Sequence, residues 1–140
     1  MTDQRDDGRY APSAEAIEQL ARAALNRLPP EFRAHLDDVI LRVAEFADED
    51  VLAELGIDDP FALSGLYTGR PLGDKSVFDS GAMPDSIHLY RRAILDEWVE
   101  GGESLEHLVR HILVHEVGHH FGLSDADMHA LEAAAGGDGD

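Results

Sequence analysis

The segment His115–Asp125 constrains the fold of this chain more than any other part of the sequence. It carries the pattern H-E-x-x-H-x-x-G-x-x-D. Residues four apart lie about 40° apart around a helix axis, so His115 and His119 can bind one metal ion if the segment is helical. Gly122 can take the left-handed conformation that ends a helix, and the chain can then turn back towards the ion at Asp125. Apolar residues recur at helical spacing ahead of the motif, as an amphipathic helix requires: Leu105, Leu108, Val109, Ile112 and Leu113.

The residues of this pattern match the chemistry of a catalytic zinc ion. Catalytic zinc usually has three protein ligands and keeps a fourth position for water, whereas structural zinc usually has four protein ligands. Glu116 follows the first histidine, so it would lie on the adjoining flank of the helix, within reach of that water. We therefore predict one zinc ion per chain, bound by His115, His119 and Asp125, with Glu116 as the catalytic base.

Two alternatives to this ligand set are present in the sequence. His107, His111 and His115 are also four residues apart, so the pairs 107/111 and 111/115 could share a metal by spacing alone. Only the 115/119 pair is accompanied by the glutamate, glycine and aspartate of the full pattern. We therefore predict that His107 and His111 are polar surface groups or groups that support the ligands. Glu132 is the alternative to Asp125, since some zinc peptidases take a glutamate from the following helix.

Beyond the zinc motif, the chain resembles the small bacterial zincin-like metallopeptidases called mini-zincins, whose third zinc ligand is aspartate. The resemblance also rests on GLYTGRPL at residues 65–72 and MPDSIHLY at residues 83–90, and it covers about residues 28–132. It implies a minimal zincin-like α+β domain, with a small three-stranded sheet packed on the helix that carries HExxH. It also implies the same ligands, His115, His119 and Asp125, with Glu116 as general base in the hydrolysis of peptide bonds.

Hydrophobic periodicity and capping residues predict how the chain is organised. Helices are predicted over residues 13–28, 31–36, 50–55, 91–100 and 103–121 and from 125 onward, and strands over 39–46, 62–68 and 86–90. Residues 69–84 are rich in Gly, Pro, Asp and Ser and are predicted to form a long loop. The single predicted domain spans residues 13–132, between a disordered segment, 1–12, and an acidic flexible tail, 133–140.

The third predicted strand is also a candidate for binding substrate. Zincins generally lay an extended peptide along the sheet edge that borders the zinc cleft, with main chain paired to main chain. Alternation places Ser86 and His88 on one face and Ile87 and Leu89 on the other, so one face can pack while the edge stays available. We therefore predict an edge strand, which either contacts substrate or is an ordinary edge of the sheet. Three other residues, Tyr90, His120 and His129, are candidates for stabilising the oxyanion.

Composition excludes several classes of function. The chain has 29 acidic and 11 basic residues and a net charge of −18, which argues against a nucleic-acid partner, because basic patches supply most of that affinity. It has no cysteine, so disulfides and zinc–thiolate sites are excluded. No apolar run is long enough to span a bilayer and no secretory signal is evident, so we expect a cytoplasmic protein without a membrane partner.

The sequence thus favours a zinc metalloendopeptidase-like hydrolase that acts on a peptide or protein substrate. Two other functions remain open: a metal-dependent hydrolase of a non-peptide substrate, and a catalytically silent zinc-binding or regulatory module. An exposed strand edge would also be compatible with a homodimer.

Overall fold

The computed structural model describes residues 11–69 and 85–136, and within them the chain forms an α+β domain. The predicted loop falls almost wholly outside the described residues, as do residues 1–10 and 137–140. In chain order, the described elements are α1 (Ala14–Asn26), α2 (Pro30–Arg33) followed by a 3-10 turn, β1 (Ile40–Ala44), α3 (Glu49–Leu55), β2 (Gly65–Thr68), β3 (Ser86–Tyr90), α4 (Arg91–Gly101), α5 (Leu105–Phe121) and α6 (Asp125–Gly136).

The three strands form one mixed sheet in the order β1-β3-β2. β1 runs parallel to β3, with Ile40 opposite Ser86, and β2 runs antiparallel to β3, with Thr68 also opposite Ser86. The main chain of β3 is therefore paired on both sides, and the prediction that Ser86–Leu89 is an edge strand is wrong. Ile87 and Leu89 are buried on one face and Tyr90 on the other.

Helix α5 lies at the centre of the domain. It packs against α1, α4, α6 and two strands of the sheet, so it is buried around most of its circumference rather than along one stripe. The predicted small sheet packed on the HExxH helix is confirmed. Helix α1 covers α5 with a single apolar stripe at helical spacing, made of Ile17, Ala21, Ala24 and the flanking Leu28.

Local signals fix both ends of the site helix. The Ser104 hydroxyl accepts a hydrogen bond from the His107 N–H at 3.0 Å and caps the first turn of α5. Gly122 ends the helix with a φ of 68°, in the left-handed region that the sequence predicts for this position. Ser124 then caps α6 by accepting from the Asp127 N–H at 3.2 Å. A helix, a glycine turn and a second helix therefore follow one another as predicted.

The structured domain extends further than predicted at its C-terminal end. Helix α6 continues to Gly136, and Ala135 is 0% exposed in the core, so the prediction of a flexible tail from residue 133 is wrong for residues 133–136. An alanine contributes little hydrophobic signal in a sequence, which is why its burial was missed. At the other end, the Pro12 carbonyl accepts a hydrogen bond of 2.7 Å from the Arg91 guanidinium. That contact holds the last residue of the segment predicted to be disordered.

None of the helices among residues 11–69 and 85–136 combines the length and the apolar composition needed to cross a membrane.

Candidate metal centre and active site

The predicted zinc ligands lie on two consecutive helices. His115 and His119 are one turn apart on α5, and Asp125 is the first residue of α6. His115 is half-buried, the side chain of His119 is 57% exposed, and Asp125 is exposed. The Leu123 N–H donates to the Gly118 carbonyl at 2.9 Å and closes the turn between the helices. All three side chains are therefore held by rigid backbone, and two of them are open to solvent.

The surroundings of His115 keep it in the form that binds a metal. Burial lowers the pKa of His115, and the nearby His111 lowers it further, while the charges of Glu132 and Asp125 act in the opposite direction. The net shift is downward. A neutral imidazole, which is the form that coordinates zinc, is therefore favoured at neutral pH.

The most compact group of potential metal ligands among the described residues includes only one of the predicted ligands. Within the described part of the chain, His111, His115 and Glu132 form the one group of three whose ligand atoms all lie within 4.8 Å of one another. The His111 Nδ1 lies 2.7 Å from the Glu132 Oε1. The structure thus unites His115 with two of the alternative ligands, whereas His115, His119 and Asp125 do not meet this criterion with their present side-chain conformations.

Glu116 lies in a buried position between α5 and the sheet. Its side chain is 10% exposed, and its Oε1 lies 3.3 Å from the His119 Nδ1. Burial raises the pKa of Glu116, while the charge of His119 and a hydrogen bond from the Tyr67 backbone N–H act to lower it. A carboxylate whose pKa is raised by burial accepts a proton more readily than one in free solvent.

Strand β2 approaches α5 closely beside Glu116, and this approach requires glycine at position 65. A Cβ at Gly65 would lie 2.7 Å from the Ile112 Cγ2 and 3.5 Å from both the Cγ and the Oε2 of Glu116. The Ile112 methyl group is attached to a β-branched, buried side chain that cannot rotate away freely. Gly65 is part of the GLYTGRPL segment, so this segment contributes directly to the wall of the site.

Gly65→Ala is therefore expected to destabilise the protein by about 1–3 kcal/mol, the usual cost of overpacking a core. It should also displace Glu116 from its present position. The measurement is the midpoint of denaturant unfolding, compared with that of Gly101→Ala. At Gly101, an added Cβ would meet only the Glu103 Oε1, at an ordinary 3.8 Å. Equal stabilities of the two variants would contradict the close approach of β2 to α5.

A buried polar cluster joins the helix to the sheet beyond Glu116. The His120 Nδ1 lies 3.2 Å from the Asp85 Oδ2 and 3.4 Å from the Tyr67 hydroxyl, and His120 is 2% exposed. Burial raises the pKa of Tyr67, and the charge of Asp85 and its hydrogen bond to the hydroxyl add to this effect. Sequence reasoning missed this cluster, because its members are far apart in the chain. The signals that could have pointed to it are the occurrence of Tyr67 in the GLYTGRPL segment and of Asp85 in the MPDSIHLY segment.

The three oxyanion candidates differ in where they lie. His120 is enclosed in the buried cluster, and His129 is exposed on α6. Tyr90 is 4% exposed, and its pKa is raised by burial first and then by the charges of Asp48 and Glu116. His129 is therefore the one exposed candidate of the three.

The residues predicted to bind substrate on β3 have structural contacts instead. Ile87 is 1% exposed and Leu89 is 0% exposed, so neither can contact a substrate. The His88 Nε2 lies 3.4 Å from the Thr68 Oγ1 across the sheet, and burial, together with Arg42, lowers the pKa of His88. Ser86 is half-buried, with its main chain between two partner strands. The strand that borders Glu116 is β2.

Comparison with known proteins agrees with this architecture. No curated protein matches the chain. A family model described as zincin-like metallopeptidase matches residues 36–135, which include all three strands, α5 and nearly all of α6. Since this match covers most of the chain and contains the whole candidate site, the chain belongs to the zincin-like metallopeptidase family.

Proposed function

We propose that this protein is a zinc-dependent peptidase in which His115, His119 and Asp125 bind the metal and Glu116 is the general base. The observation that carries the proposal is the environment of Glu116. Its carboxylate is buried against β2, and its pKa is raised. It lies beside His119, which together with Asp125 is exposed to solvent. This arrangement combines a protected proton acceptor with ligands that an ion and a substrate can reach.

The donor set fits zinc by its chemistry. Two imidazoles and a carboxylate are preferred zinc ligands, and three protein ligands leave a position for catalysis. His115 is kept neutral by its surroundings, while the exposed side chains of His119 and Asp125 can change rotamer without disturbing the core. When bound, zinc polarises a substrate carbonyl as a Lewis acid and activates a water molecule at neutral pH.

Glu116 would move the proton in this reaction. Its carboxylate accepts a proton from the attacking water and then delivers it to the amine nitrogen that leaves when the peptide bond breaks. The raised pKa supports the uptake of the proton, because burial makes the carboxyl group a better proton acceptor than a fully solvated one. The Tyr67 N–H fixes the carboxylate from the sheet side, so the same group can serve both transfers without reorientation.

A peptide substrate would lie along β2 rather than along β3. Among the described strands, β1 and β2 each have a partner on one side only, and β2 is the one that approaches Glu116. Extended peptides bind such edges by main-chain pairing, which needs no particular side chain on the protein. This site replaces the predicted one at Ser86–Leu89 and retains its mechanism of recognition.

A peptide library incubated with the zinc-loaded protein tests the proposal. We expect cleavage that is lost on adding a chelator, is restored by zinc, and is absent from Glu116→Gln prepared in the same way. The Glu106→Gln variant serves as the matched control, since it removes an exposed carboxylate from the same helix. Cleavage that resists the chelator would contradict the proposal. No cleavage of any peptide by the loaded protein would favour the silent zinc-binding module.

A further inference from the structure

We propose that His111, His115 and Glu132 form a second site for a zinc-like transition-metal ion, one helical turn before the proposed catalytic site. The claim that this site exists rests on the cluster itself. The claim that it affects catalysis rests on the proposed function, because His115 belongs to both ligand sets. The occupant would be an ion that prefers imidazole, such as zinc, rather than magnesium or calcium.

The geometry of the cluster is close to that of a bound ion. The His111 and His115 rings have their centroids 4.4 Å apart, and the His111 Nδ1 lies 2.7 Å from the Glu132 Oε1. With metal–ligand distances of roughly 2.0–2.2 Å, the donor atoms of a tetrahedral site lie about 3.3–3.6 Å apart. The three donor atoms already lie within 4.8 Å of one another, so small rotations of the side chains are sufficient to bring them onto one ion.

The carboxylate of this cluster is held in place by the packing of two helices. Glu132 projects from α6, where the neighbouring Leu131 is 4% exposed in the core and Met128 packs against Gly118 of α5. The side chain of Glu132 is only 16% exposed. Its second oxygen lies 4.0 Å from the His107 Nε2, so the carboxylate lies between two imidazoles. A partly desolvated carboxylate fixed among histidines is a stronger ligand than one free in solvent.

Sharing of His115 makes the two sites compete. An ion bound through His111, His115 and Glu132 uses the imidazole that the catalytic site needs, so occupation of one site weakens the other. The net charge of −18 attracts cations to both sites alike. Because the same ion competes for His115, the relative affinities of the two sites, and not the zinc concentration, decide which of them is filled.

Zinc titration of the metal-free protein, followed by calorimetry, tests the second site without using activity. In His119→Ala the proposed catalytic set is incomplete, and we expect one weaker equivalent of zinc to remain. Adding His111→Ala should reduce the affinity for that equivalent at least about 10-fold, as loss of a supporting or ligating group does. His129 is an exposed histidine of α6, and adding His129→Ala instead should leave the affinity for the remaining zinc unchanged. Glu132→Gln in the His119→Ala background checks the carboxylate independently.

The outcomes separate the two proposals. If His119→Ala binds no zinc, or if the His111→Ala/His119→Ala variant binds it as well as His119→Ala does, the second site is overturned and the proposed function is unaffected. If wild type loses its tight zinc with His111→Ala but keeps it with His119→Ala, the second site stands and the catalytic ligand assignment fails. Circular dichroism of each variant confirms that it is folded.

Discussion

The Glu116→Gln variant is expected to bind zinc as tightly as wild type and to hydrolyse peptides about 10²–10⁴-fold more slowly, the usual effect of losing a general base. Glutamine has nearly the same shape as glutamate but cannot take the proton from water. The fold should be retained, since burial already disfavours the charge at this position and a neutral side chain removes that penalty. The measurements are kcat/KM on a peptide that wild type cleaves, and zinc content.

Measuring both kcat/KM and zinc content distinguishes a variant that has lost only its catalytic step from one that has lost the metal site. Glu106→Gln on the exposed face of α5 should keep both the full rate and the zinc. A Glu116→Gln variant with an undiminished rate would leave Glu116 without its assigned role. Loss of zinc together with activity would instead make Glu116 a ligand or a structural residue, although its carboxylate now faces His119 and the Tyr67 N–H.

The parts of this fold that were predictable are those encoded by neighbouring residues. The helical spacing of apolar residues ahead of His115 and the left-handed turn at Gly122 are local features, and the structure has a helix and its end where the sequence places them, although α5 is buried around most of its circumference rather than along one stripe. The order of strands is not local. Alternation in Ser86–Leu89 identifies a strand and its faces, but it does not say which strands pair with it, so its central position was missed.

In the candidate site too, features set by local spacing were predictable and contacts set by tertiary packing were not. Spacing along α5 identifies every pair of histidines that can share an ion, but it does not rank them by conformation. Glu132 and His111 are 21 residues apart in the sequence and lie on different helices. Their contact of 2.7 Å depends on how α6 packs on α5. The contact of His120 with Asp85 depends on tertiary structure in the same way, since the two residues are brought together only by the docking of the helix on the sheet. Periodicity contains no information about either docking.

Asp125→Ala is expected to lower the affinity of the protein for zinc. The decrease should exceed the roughly 10–100-fold that follows the loss of a group that only supports a ligand. Asp125 lies directly after the turn at Gly122, and its charge already acts on His115. Glu132→Ala should leave this affinity nearly unchanged, because Glu132 contacts His111 and not His119. The measurement is competition of each protein with a chromophoric chelator, together with elemental analysis, which should give one tightly bound zinc per wild-type chain.

Asp127→Ala is the matched control for this comparison. It removes an exposed carboxylate from the same first turn of α6, and the cap at Ser124 bonds to its backbone rather than its side chain. Its zinc affinity should equal that of wild type, which would exclude a general effect of lowering the negative charge at this helix end. If Glu132→Ala instead bound zinc far more weakly than Asp125→Ala, the third ligand would be Glu132, in the middle of α6. The catalytic ion would then lie between His111 and His115, one turn earlier on α5, and Glu116 would no longer flank both of its histidine ligands.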